Sequence, residues 1–218
     1  MTSLSHHLRA TLTLGLPLIG GMMAQALIGL TDTVMVGWYG VRELAAVALG
    51  ASYFHTILIL GMGFGLAVMP MVAAAVANED TVQVRRVTRM GLWIAILFSA
   101  LIMPVFWFSG AILLALGQTE QIAADAQTYL RIAGWGILPA VLMTVLRGHL
   151  SALEHARIVL IATLAGVVLN AGLNYLLIFG NFGAPELGLS GAAAASLGTH
   201  SLITVILALY AARHRDLR

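Results

Sequence analysis

The chain has 218 residues, 60% of them hydrophobic and only 9% Asp, Glu, Lys or Arg, with a mean hydropathy of +0.96. A soluble domain carries about 25% charged residues to cover its surface, so this composition argues against a water-soluble enzyme. A net charge of +2 without a basic tract offers no nucleic-acid groove. The absence of Cys removes disulfides, thiolate nucleophiles and Cys-ligated zinc or iron–sulfur centres. What remains is an all-α, polytopic membrane protein.

In chain order, the apolar runs predict six spans, over residues 11–36, 44–77, 90–116, 122–146, 158–180 and 189–211. Each is long enough to cross about 30 Å of hydrocarbon at 1.5 Å per helical residue. Barrel strands do not fit, because the runs are continuously apolar rather than alternating. The first run follows His6, His7 and Arg9, and Ala24-Gln25-Ala26 resembles a signal-peptide cleavage site. The apolar stretch continues to Val36, too long for a signal core alone, so a retained helix is expected. The second run exceeds one perpendicular crossing and is expected to tilt, to kink near Gly61–Gly65 or Pro70, or to project into water. Residues 78–90 read as a solvated loop in which Asn78 or Asp80 caps a short helix and Arg85, Arg86 and Arg89 meet the lipid headgroups. His149, Glu154 and His155 fall in a later expected loop, without metal-ligand spacing. No linker or second domain is evident, so residues 1–218 read as one six-helix unit.

With the N-terminus in the cytoplasm, that side receives Arg9, Arg85, Arg86, Arg89, Arg147, Arg157, Arg213, Arg215 and Arg218, against Arg42 and Arg131. This positive-inside bias places both termini in the cytoplasm. Gly61-x-Gly63-x-Gly65 has no strand before it and is no phosphate loop, and there is no Walker A sequence. The ten Met residues and the aromatics read mostly as lipid-facing or packing groups, some of which suit an adaptable apolar pocket.

Polar residues inside the runs carry the functional signal. Asp32 stands in an apolar stretch with no basic neighbour in sequence, and a carboxylate there costs about 2.5–3.5 kcal/mol on insertion scales. Such a residue faces a cavity, a cation or a proton path, or else lies near the span's end and hydrogen-bonds a neighbouring helix or snorkels to water. Gln25 and Gly29 share its helix face, and Pro17 is a natural place for that helix to bend. Asn170 and Asn174, four apart on the fifth span, stack two amides on one face. With one carboxylate they suit a hard monovalent cation, and taken alone they read first as interhelical hydrogen bonding. On the sixth span Ser196 and His200 are also four apart, within a run of small residues suited to close packing. His55 stands on the second span without polar company. No nucleophile–base or metal pair appears at usable spacing, so an enzyme is not expected.

Leu16-Pro17-Leu18, the run from Gly29 to Gly37 and the run from Leu44 to Gly50 resemble the opening of multidrug and toxic compound extrusion (MATE) transporters. The likeness continues through Arg85-Arg86, Leu116-Gly117-Gln118, Tyr129–Ile132, Leu146-Arg147-Gly148, the run from Leu169 to Gly180, and Gly191-Ala192-Ala193. It is most similar to the bacterial sodium- or proton-coupled branch. The resemblance implies one lobe of a twelve-helix inner-membrane antiporter whose two six-helix lobes rock while organic cations leave and sodium or protons enter. It implies a cation site of Asp32, Asn170 and Asn174, completed by the Ala192 carbonyl and the Ser196 hydroxyl. His200 departs from the neutral polar residue expected there. Sodium or protons act as the coupling ion, and no further cofactor is implied. The implied partners are the bilayer, small organic cations and a second six-helix lobe, supplied by a longer chain or a second copy. Other readings are a lipid-linked oligosaccharide flippase of related architecture and a non-transporting membrane scaffold subunit.

Overall fold

A computed structural model describes the backbone of residues 4–213 and the side chains of residues 15–213. The side chains of His6, His7 and Arg9, and the whole of Arg215 and Arg218, lie outside the described residues. Eight α-helices follow one another: α1 (Leu4–Tyr39), α2 (Val41–Ala77), α3 (Thr81–Trp107), α4 (Ser109–Ala115), α5 (Glu120–Ala133), α6 (Ile137–Ala152), α7 (Ala156–Leu177) and α8 (Leu189–Arg213). A 3-10 turn, Gly134–Gly136, joins α5 to α6 in one long rod. Counted with that rod as a single crossing, six helical segments among the described residues are long and apolar enough to span a membrane. The expected all-α, six-span architecture is therefore present.

The largest differences from expectation lie at the boundaries of the third and fourth spans. The polar stretch 78–90 is almost entirely helical, and only Asn78–Asp80 break the chain. The Asp80 carboxylate caps α3 by accepting a hydrogen bond from the Gln83 amide at 2.9 Å. Val84, Val87, Gly91 and Ala95 then form a buried stripe while Arg85, Arg86 and Arg89 stand exposed on the other face. The third span accordingly starts earlier than residue 90 and ends at Trp107, short of residue 116. The fourth span extends to Ala152, which carries His149 into α6 instead of a loop. His149 is buried and its Nδ1 lies 2.8 Å from the Thr88 hydroxyl on α3. The buried Leu146 and Leu150 carry the inner face of α6 past His149, where charge alone suggested a loop.

Pro17 and Pro70 lie inside unbroken helices, as do Gly61 and Gly65. Those two glycines mark close approaches: a Cβ at Gly61 would meet Phe98 and Val141 at 2.7 Å, and one at Gly65 would meet Thr144 at 2.6 Å. One buried cluster joins α2, α3, α5 and α6, including Val72, Ala95, Phe106, Leu130 and Val141. A second joins α1, α6, α7 and α8 through Ile28, Leu150, Val159, Ile203 and Leu207. Many large apolar side chains remain exposed on the outside, Leu16, Leu97, Leu101 and Val168 among them. An outer surface of this kind belongs in hydrocarbon rather than water.

Candidate functional site

The candidate site lies where α1, α7 and α8 meet. The α7–α8 connection is tight: Leu187 N–H donates back to the Leu177 carbonyl at 2.9 Å, and Gly180 and Gly188 take positive φ to make the reversal. Gly191 then sits so close to α7 that a Cβ would collide with the Leu177 carbonyl. This close crossing sets Ser196 across from the amides of α7.

Asp32 receives side chains from both helices. Its Oδ1 accepts from Asn174 Nδ2 at 2.6 Å and from Asn170 Nδ2 at 2.9 Å, while its Oδ2 accepts from Ser196 Oγ at 2.6 Å. Asn174 Nδ2 also reaches Asn170 Oδ1 at 3.3 Å. Both asparagines are fully buried. Three donors on one carboxylate are the arrangement that stabilises its charge away from water. The fourth amide atom tells against a purely structural network: Asn174 Oδ1 is buried without a hydrogen-bond partner. Ala192, one turn before Ser196, is buried on α8. Among the described residues no three His, Asp or Glu side chains converge; the groups facing Asp32 are two amide nitrogens and one hydroxyl.

Asp32 also lines a cavity of about 400 Å³ within the bundle, a volume suited to a drug-sized molecule. Gln25 lines it one face-repeat earlier on α1, and its Nε2 lies 3.3 Å from His200 Nε2 on α8. The Gln25 Oε1 is buried and unpaired. The chain therefore gathers Asp32, Asn170, Asn174 and Ser196 into one cluster, and Gln25 with His200 into a second along the same cavity. Pro17 touches neither among the recorded contacts, and it is not a cavity-lining residue. The lining also includes His55, which does have polar company here, and two residues to which sequence alone assigned no part in the site, Tyr129 and Arg147. The buried Tyr129 ring sits against Gly50 of α2, where a Cβ would be 2.7 Å from its edge. In sequence, Arg147 falls just past the expected fourth span and counts among the cytoplasmic-side arginines.

Long apolar helices around a buried, hydrogen-bonded carboxylate and a ligand-sized cavity define a polytopic membrane protein with an internal polar site. The chain belongs to the MatE family, whose model matches residues 17–176. It is 48% identical over 211 residues to "Probable multidrug resistance protein NorM" of Rhizobium meliloti, a match covering 97% of this chain and 45% of that protein. A protein of the same name from Synechocystis sp. is 36% identical over 209 residues, covering 96% and 45%. In fold, the chain is similar to the crystal structure of the eukaryotic MATE transporter AtDTX14, with a TM-score of 0.89 at 19% identity, over 96% of this chain and 47% of that one. The chain spans about half the length of the curated relatives it matches.

Proposed function

We propose that this chain forms the N-terminal lobe of a cation-coupled antiporter that exports organic cations by alternating access across the inner membrane, with both termini in the cytoplasm. The observation that carries this reading is the Asp32 carboxylate, buried among Asn170, Asn174 and Ser196 at the wall of the cavity. A charged carboxylate so placed is expensive, and a sodium ion or a proton neutralises it. Turning the two amides about their last torsion presents carbonyl oxygens to a cation. With the Asp32 oxygens, Ser196 Oγ and the Ala192 carbonyl, they make a set of hard oxygen ligands suited to sodium. The unpaired Asn174 Oδ1 gains a partner in that arrangement.

Coupling requires that the cation bind one conformation more tightly than the other. Pro17 leaves the carbonyl one turn earlier on α1 without a helical donor, so it is the weak point at which a neutralised helix bends. A second lobe, from a longer chain or a second copy, closes the other side of the substrate path.

The test is efflux of ethidium from cells producing residues 1–218, beside Asp32→Asn and an empty vector at matched membrane levels. Efflux lost in Asp32→Asn supports a self-sufficient, paired half-transporter. Sodium- or acid-dependent thermal stabilisation of the purified chain, lost in Asp32→Asn, supports the cation site with a lobe supplied separately. Efflux unchanged by Asp32→Asn, or neither efflux nor cation-dependent stabilisation, refutes the reading.

A further inference from the structure

The outer face of α3 begins with three cations, Arg85, Arg86 and Arg89, all exposed. Among the described residues none of them enters a hydrogen bond or ion pair; the ion pair found there joins Arg42 to Asp125. α3 itself contains no acid. α2 and α6, which pack against it, contribute only Glu43, in the first turn of α2 at the opposite end. Of the acids in the adjoining turns, Asp80 is taken up by the α3 cap, and Glu79 and Glu154 make no ion pair among the described residues.

The same face continues as an apolar stripe. Arg86 and Arg89 are three apart and so neighbours on the helix surface, and Trp93, Leu97 and Leu101 follow Arg89 in steps of four. These three are 60%, 65% and 81% exposed, so no other helix of this chain covers them. Helical side chains lean toward the helix N-terminus, which brings the Trp93 indole over the turn that carries Arg89. From Arg89 to Leu101 is about 18 Å at 1.5 Å per residue, close to the roughly 15 Å of hydrocarbon in one leaflet. Two cations, an aromatic at the polar–apolar boundary and a leaflet's length of aliphatic surface therefore lie in line.

We propose that this stripe binds one anionic phospholipid of the phosphatidylglycerol type. Its phosphate lies between the Arg86 and Arg89 guanidinium groups, whose forks match phosphate oxygens. Its glycerol region rests on Trp93, and an acyl chain runs along Leu97 and Leu101. A zwitterionic lipid brings the same phosphate with an ammonium group, which meets Arg85 and no acid on α3. The occupant is a bilayer lipid rather than a free anion because the apolar stripe continues directly from the cations. The inference depends neither on the cavity nor on the coupling ion.

The test is native mass spectrometry of the purified chain in detergent, titrated with phosphatidylglycerol and with phosphatidylcholine of the same acyl chains. A third titration uses glycerophosphoglycerol, the anionic headgroup without its chains. The first phosphatidylglycerol is expected to bind at least about fivefold more tightly than phosphatidylcholine, the scale of one charge at a basic surface. Arg86→Gln with Arg89→Gln is expected to bring that ratio close to one. Arg157→Gln, at an exposed arginine near the start of α7, is expected to leave it unchanged. Equal binding of the two lipids by the native chain overturns the inference and needs no variant. A ratio that survives the double substitution, or that falls as far in Arg157→Gln, also overturns it. Binding of glycerophosphoglycerol as tight as that of the whole lipid makes this a soluble-anion site and overturns it as well.

Discussion

Asn174→Leu isolates what holds the buried carboxylate. The substitution removes the 2.6 Å bond from Asn174 Nδ2 to Asp32 and the weaker 3.3 Å contact with Asn170. A hydrogen bond to a charged group contributes about 1.5–3 kcal/mol and a neutral one about 1 kcal/mol. It also deletes the unpaired Asn174 Oδ1, which returns about 1 kcal/mol of desolvation. The net cost is about 2 kcal/mol, or a fall of about 4–8 °C in Tm for a chain of this length. In an Asp32→Asn background the bond becomes neutral on both sides, and the same substitution is expected to cost about 1 kcal/mol. Thermal unfolding of the four purified proteins in one detergent measures the cycle. Equal costs in the two backgrounds, within the roughly 0.3–0.5 kcal/mol of ordinary additivity, refute the claim that Asn174 serves the charge on Asp32.

Further outcomes test the packing of the bundle. Gly191→Val places a side chain against the Leu177 carbonyl, which cannot swing aside, and is expected to cost about 1–3 kcal/mol by thermal unfolding. Gly63→Ala, where a Cβ meets nothing within 4 Å, is expected to be neutral or mildly stabilising in the same assay. Thr88→Val leaves the buried His149 Nδ1 without its partner, at a cost of about 1–2 kcal/mol. Adding His149→Phe is expected to recover most of that loss, because neither polar partner is then left buried.

The number of spans was legible because hydrocarbon imposes a length: about 20 apolar residues per crossing is a one-dimensional property that any chain displays openly. Asp32, Asn170 and Asn174 were legible for a related reason, since a polar group in an apolar run is costly enough to stand out. The boundaries at Thr81 and Ala152 were harder to see. Arg85, Arg86 and Arg89 read as loop by charge, and only packing against α2, α5 and α6 reveals that Val84 and Val87 turn inward beside them. His149 is similar, a lone polar residue whose partner Thr88 lies 61 positions away.

Composition and pattern thus determined the class, the count of spanning helices and which side chains were too polar for their surroundings, because each follows from transfer of residues between water and hydrocarbon. Only the tertiary structure decided who meets whom. The pairing of Asp32 with Ser196, 164 residues apart, depends on the close passage of α8 over α7 at Gly191. The placing of Asp32 and Arg147 on one cavity depends on how α1 and α6 each pack against α2, α7 and α8. Such distances are set by side-chain shape and helix crossing geometry, which no local run of residues encodes.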